Sequence, residues 1–133
     1  MKKFLLFFTA VIAVQLVNAQ DSWRLINESE VTKNLFENRY KPAVYKIFQL
    51  NENMLQAKLQ QAPSEKNVQA AESAFIITVP ATNGQPERFS VVEAPVMDPL
   101  LAAKYPGIKS YAGKGIDDPA AVIRFSYAVD GFH

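Results

Sequence analysis

The sequence holds one histidine, His133, and no cysteine. A zinc-protease motif of the H-E-x-x-H type needs two histidines on one helical face, and a Ser-His-Asp triad needs a histidine that the fold can place beside a serine. A histidine at the last position of the sequence meets neither requirement. Thiolate zinc sites and redox pairs need cysteine and are therefore not predicted. The residue types predict no catalytic centre within this chain.

The densest group of flexible and charged residues is at 113–119, where Gly113, Lys114 and Gly115 are followed by Asp117 and Asp118. The two glycines make a G-x-G, but no strand–G-x-G-x-x-G–helix unit surrounds them, so a phosphate loop is not predicted. The other carboxylates are scattered along the chain, which gives little support for a hydrolase with paired carboxylates. This stretch predicts a tight loop.

Residues 1–19 have the three parts of a secretory signal peptide. A basic start and an apolar run precede a small residue, Ala19, at the exit. A membrane-spanning helix needs about 20 apolar residues, and Gln15 and Asn18 interrupt this run earlier. A cleaved signal is therefore favoured over an anchor. We expect export through the periplasm to the cell surface or the medium, with no membrane attachment after cleavage.

Basic and acidic residues nearly balance. The 133 residues include 14 Lys and Arg against 13 Asp and Glu. Removal of Lys2 and Lys3 with the signal leaves 12 basic residues against the same 13 acidic ones. A net charge near −1 gives no electrostatic attraction to nucleic acid or to an anionic membrane.

The 114 residues at 20–133 suit one domain, since domains commonly have about 100–150 residues. Residues 21–41 show no clean period and are interpreted as a lead-in. Apolar, β-branched runs separated by turn residues predict strands over 43–50, 73–79, 87–93, 108–112 and 121–129. Helices are predicted over 52–62 and 100–105, with Asn51 and Asp98 as their caps. These elements predict an α+β fold, mainly an antiparallel sheet with one or two short helices packed on one face.

The end of the sequence predicts an incomplete sheet edge. Alternate apolar residues from Ile123 to Val129 lie on one face of the last predicted strand. Asp130 and Gly131 then signal a hairpin turn, and Phe132 and His133 would begin the returning strand, which is otherwise missing. We expect a module truncated at its C-terminal edge, the front of a longer protein.

A long stretch of this sequence resembles a known family. Residues 89–119 read FSVVEAPVMDPLLAAKYPGIKSYAGKGIDDP, preceded by YKIFQL at 45–50 and a Leu55–Leu59 helix pattern, and followed by the terminal GFH. This pattern resembles the N-terminal pro-region of secreted bacterial reprolysin-like zinc metalloproteases, many of which end in a type IX secretion sorting domain. The block at 113–119 is its most specific part.

The resemblance implies a propeptide, a folding and latency module removed on maturation, that acts in cis on a metalloprotease catalytic domain downstream. That domain would hold the zinc, so the chain itself is expected to have no cofactor and no enzymatic activity. Asp117 or Asp118 would reach the zinc, because an anionic oxygen is a competent ligand that displaces the catalytic water. Lys114 and His133 are further candidate contacts with the partner.

Three alternatives stay open. The block at 113–119 could be a tight turn that only the fold requires. The chain could be a stand-alone secreted or periplasmic binding module for a peptide or a glycan. It could also be a free-standing inhibitor of a protease encoded by another gene.

The signal sequence generates the first testable prediction. We expect the mature protein to begin at Gln20, because Val17 and Ala19 supply the small residues at the exit. Intact-mass measurement of exported material checks this, and tolerates cyclisation of Gln20 to pyroglutamate. A membrane-bound product that retains residues 1–19 would contradict the prediction.

Overall fold

The structure is a computed structural model, and it describes residues 22–31 and 43–133. The predicted signal at 1–19 and the part of the lead-in at 32–41 lie outside these residues. Within the described part of the chain, no helix is both long and apolar enough to cross a membrane.

The strands form two antiparallel sheets. The smaller sheet pairs β1 (Trp23–Ile26) with β2 (Ile47–Leu50). The larger sheet has the order β3 (Ile76–Pro80), β4 (Pro86–Glu93), β5 (Lys109–Gly115), β6 (Val122–Ala128) and β7 (Gly131–Phe132). The described residues also form two short α-helices, α1 (Glu52–Leu59) and α2 (Pro99–Lys104). This architecture confirms the predicted α+β class with a mainly antiparallel sheet.

Helix α1 begins where the sequence predicts it and ends earlier. The side chain of Asn51 accepts the Met54 N–H at 3.1 Å, which satisfies one of the free donors of the first turn. The predicted helix extends to residue 62, whereas the structure ends it at Leu59. The next amides, of Gln61 and Ala62, bond three residues back, so the chain tightens into a turn before Pro63.

The core lies between α1 and one face of the larger sheet. Leu55 and Leu59, both 2 % exposed, are four residues apart and therefore share a helical face. They pack against a buried set from β3 to β6, namely Ile77, Phe89, Val91, Tyr111 and Phe125. Direct cross-strand partners lie on the same face of a sheet. The pairs Ile77–Phe89 and Tyr111–Phe125 therefore both point toward α1.

The β3–β4 hairpin is confirmed. The two strands pair from Ile76–Ser90 to Pro80–Pro86. Gly84 adopts φ +79° in the connecting loop, a conformation that glycine tolerates and that the Asn-Gly pair predicts.

The prediction for β5 is wrong at its end. A strand over 108–112 and a loop over 113–119 were expected, but β5 runs through Gly115. Gly113 lies between Val91 and Ile123, and a Cβ on it would approach their Cγ2 atoms to 2.9 and 2.7 Å. This glycine is therefore required by close packing between neighbouring strands and does not mark a turn.

The prediction for the C-terminal hairpin is also corrected. Val129 was assigned to the apolar face of β6, but it lies in the turn and is 99 % exposed. The returning strand begins after the turn as predicted, because Tyr127 pairs with Phe132 and Ala128 with Gly131. The edge of β6 is thus covered in part by β7.

The turn between β5 and β6 generates the second testable prediction. A Cβ on Gly115 would overlap the backbone oxygen of Asp118, while a Cβ on Gly107 meets nothing within 4 Å. We expect Gly115→Ala to destabilise the protein by about 2 kcal/mol, the order of cost of overpacking. Gly107→Ala, the matched control, should change stability little. Chemical denaturation followed by the fluorescence of the single tryptophan, Trp23, measures both. Equal stability of the two variants would show that position 115 has room for a side chain, which contradicts the close approach of the Asp118 backbone.

Candidate functional site

Asp117 and Asp118 lie in the turn that joins β5 to β6. Two backbone bonds close this turn, from Gly115 N to Ala121 O and from Ala121 N to Asp118 O, each at 3.0 Å. The side-chain Oδ1 of Asp118 accepts the Ala120 N–H at 2.8 Å. Short side-chain acceptors of this kind replace backbone partners in tight turns.

Asp117 is bound to Arg88 on the neighbouring strand. The Arg88 Nη2 and Nε atoms lie 2.6 and 3.1 Å from Asp117 Oδ1, and the Arg88 backbone N–H donates to Oδ2 at 2.9 Å. These hydrogen bonds lower the pKa of the Asp117 carboxyl and raise the pKa of the Arg88 guanidinium. Both carboxylate oxygens are therefore engaged in holding the turn against β4.

Lys114 lies within β5, and the expectation that it belongs to a loop is wrong. Its cross-strand partners are Ser90 on β4 and Val122 on β6. Arg124, two residues after Val122, is its diagonal neighbour on the same face. Among the described residues, neither Lys114 nor Arg124 forms an ion pair.

His133 follows β7 and lies apart from the turn. Its Nε2 is 3.0 Å from Asp130 Oδ1, and this hydrogen bond lowers the pKa of the Asp130 carboxyl. The His133 backbone pairs with Ser126, which lies five residues along the chain from Ala121. At about 3.3 Å per residue, this places His133 roughly 17 Å from the turn. The structure therefore brings Lys114, Asp117 and Asp118 to one end of β6 and leaves His133 outside that group.

An open groove, which the sequence did not indicate, lies at the opposite end of the β5–β6 pair. It has a volume of about 580 Å³ and runs between α1, the loop after α2 and the β6–β7 turn. A smaller pocket of about 250 Å³ adjoins it beneath Gln56 and Tyr127. The Tyr127 hydroxyl donates to Glu52 Oε2 at 3.2 Å. Desolvation and this acceptor raise the pKa of Tyr127.

Exposed apolar side chains occur in this groove and on helix α2, which precedes one of its walls. We call Leu100, Leu101, Tyr105 and Val129 the α2 surface. Leu100 and Val129 are 80 % and 99 % exposed, and Tyr105 and Val129 both line the groove. Leu101 and Tyr105 are four residues apart at the end of α2, so they lie on one side of it. The sequence pattern placed Val129 on the apolar face of the last predicted strand and did not indicate this surface.

The described residues include no group of three or more His, Cys, Asp or Glu that could hold a metal ion. Comparison with protein-family models, with curated proteins and with solved structures finds no match for this chain. The resemblance to a metalloprotease pro-region therefore stays a prediction.

The Asp117–Arg88 pair generates the third testable prediction. Because folding lowers the pKa of Asp117, its ionised carboxylate stabilises the folded state above the usual carboxyl range. This contribution is lost as the pH falls through the lowered pKa. We expect Asp117→Asn to lower the Tm at pH 7, with a difference from the parent that shrinks below about pH 4.

Asp118→Asn is the matched control for this measurement. An amide oxygen at position 118 can still accept the Ala120 N–H, so little change in Tm is expected at either pH. A pH-independent loss of stability in Asp117→Asn would show that charge is not what holds the turn.

Proposed function

We propose that this chain is an exported pro-domain that assists the folding of a reprolysin-like zinc metalloprotease and holds it latent in cis. The observation that supports the proposal best is the α2 surface. Tyr105 and Val129 line the open groove, and Leu100 and Leu101 are exposed on the helix that precedes Tyr105; exposed apolar patches commonly mark a contact with another protein. The pro-region resemblance supplies the identity of that protein.

The groove and the α2 surface would together form the binding surface for the catalytic domain. The groove offers polar groups, among them Glu52 and Tyr127, next to the apolar side chains. Apolar anchors inside a polar rim are the usual composition of a protein interface. Burying Leu100 and Val129 there would favour the folded catalytic domain and block access to it.

Contact with the catalytic zinc is assigned within this proposal to Asp118. Asp117 has both oxygens on Arg88, whereas Asp118 uses Oδ1 for the turn. A carboxylate oxygen can replace the zinc-bound water. The α2 surface and Asp118 lie at opposite ends of β5, about 20 Å apart at the rise of a strand. The catalytic domain would therefore contact the full length of the sheet.

A stand-alone binding module is the second candidate function. The observation that favours it is the presence of Tyr105, Tyr127 and the Glu52 carboxylate in the lining of one groove. Aromatic faces beside a hydrogen-bonding carboxylate suit a peptide or a glycan ligand.

The fourth testable prediction concerns inhibition. The reading frame beyond the His133 codon is sequenced first, and a catalytic domain with an H-E-x-x-H helix encoded there is expressed separately. We expect the purified chain to inhibit it, and Leu100→Glu with Val129→Glu to weaken inhibition roughly tenfold or more, as loss of central apolar anchors does. The inhibition constant measured with a peptide substrate checks this.

Val44→Glu is the matched control, since Val44 is 89 % exposed and lies outside the α2 surface. It should inhibit as well as the parent. Asp118→Ala tests the zinc contact separately from the α2 surface. We expect Asp118→Ala to inhibit the catalytic domain more weakly than the parent, and Asp118→Glu to retain part of the inhibition. A stop codon directly after His133, or equal inhibition by the α2-surface variant and the Val44 control, would overturn the pro-domain proposal.

A further inference from the structure

The groove between α1 and the β6–β7 turn contains a carboxylate that no basic side chain of the described residues neutralises. The Tyr127 hydroxyl donates to Glu52 Oε2 at 3.2 Å, and no described side chain donates to Oε1. None of the ion pairs in the described part of the chain includes Glu52. The other carboxylate in the lining, Asp130, already has His133 Nε2 at 3.0 Å. Glu52 is therefore the acidic group that a bound cation would meet.

The fold fixes where this carboxylate lies. Glu52 and Gln56 are four residues apart in α1, so they share one side of the helix, and both line the groove. On the other side, a Cβ on Gly131 would lie 3.5 Å from Glu52 Oε1 and 3.8 Å from Oε2, so the carboxylate lies against this glycine. One ligand in the groove could therefore donate to both the Glu52 carboxylate and the Gln56 amide oxygen.

The rest of the lining suits a flat cation. Tyr105 and Tyr127 contribute aromatic rings to the groove. The charged side chains of the lining are two carboxylates and one ammonium, those of Glu52, Asp130 and Lys104. A guanidinium carries five donors in one plane and packs on aromatic faces, whereas the ammonium of lysine is a compact and strongly hydrated charge. The lining therefore matches an arginine side chain better than a lysine side chain.

The groove lies away from the path of a segment that continues β7. Ser126 and His133 exchange backbone hydrogen bonds, so a segment in line with β7 would run toward the start of β6. The groove lies at the other end, beside residues 127–131. We propose that this groove binds an arginine side chain of a partner protein, with the guanidinium donating to Glu52 and Gln56.

This inference deepens the proposed function and rests on it for the identity of the partner, since the arginine would belong to the catalytic domain. The site itself rests on the lining of the groove and is tested on this chain alone. A failure at the groove would leave the inhibition measured with the α2-surface variant unaffected. A failure of the inhibition experiment would likewise leave the preference of the groove for a guanidinium measurable.

A titration by nuclear magnetic resonance tests the proposal. The probe is N-acetyl-arginine methylamide, added to the ¹⁵N-labelled chain, and N-acetyl-citrulline methylamide is the matched control of nearly the same shape without the charge. We expect the arginine derivative to shift the amides of Tyr127, Val129 and Gly131 with millimolar affinity. The citrulline derivative should bind roughly fivefold more weakly, as loss of one exposed ion pair does.

Glu52→Gln should bind the arginine derivative as weakly as the parent binds the citrulline derivative. Its amide oxygen can still accept the Tyr127 hydroxyl, and its own amide spectrum reports whether it is folded. Glu65→Gln is the matched control, since Glu65 is exposed and lies outside the groove, and it should bind as the parent does.

The comparison of the two derivatives on the parent chain decides the matter even if Glu52→Gln does not fold. Equal shifts with both derivatives, shifts confined to residues outside the groove, or no shift at about 50 mM ligand, well above a millimolar Kd, would overturn the proposal. Equal binding of N-acetyl-lysine methylamide would overturn the choice of arginine. Shifts of the groove amides that depend on protein concentration alone would overturn it in favour of a second copy of the chain.

Discussion

Phe125 stacks on Tyr111 with ring centroids 5.0 Å apart and lies 5.3 Å from Phe132, which in turn meets Trp23 at 5.6 Å. This run of rings joins β5, β6 and β7 and carries the contact across to β1. The sequence contains no cysteine, so apolar contacts of this kind, and not disulfides, join the described strands. Burial raises the pKa of Tyr111 to about 12, with a further contribution from the charge of Glu93.

Rings of the aromatic run lie on the side of the larger sheet that packs against α1. Leu55 and Leu59 cover the rings on the α1 side of the sheet, so the main core is one layer of side chains. Helix α2 buries none of its residues and presents Leu100 to solvent. A domain with an exposed apolar surface at its end suits a role as part of a larger assembly, which is what the proposed pro-domain would be.

The block at 113–119 shows how structural and functional roles divide. Gly113 and Gly115 are demanded by the close approach of Ile123 and of the Asp118 backbone. Asp117 holds the turn to β4 through Arg88. The fold therefore accounts for most residues of the block at 113–119. Of its two carboxylates, Asp118 is the one with an oxygen, Oδ2, that the turn does not use.

The predictions that the structure confirms depend on interactions between residues close together in the sequence. The Asn51 cap, the Leu55–Leu59 spacing and the Asn-Gly hairpin depend on contacts within a few residues, which a sequence displays directly. The pairing of β1 with β2, the Arg88–Asp117 bridge and the groove between Glu52 and Tyr127 join residues far apart in the chain. The prediction of a loop at the glycines of β5 was wrong for the same reason: a glycine needed by a neighbouring strand and a glycine needed by a turn are identical in sequence. Only the tertiary structure decides between them, because the deciding atoms belong to other strands.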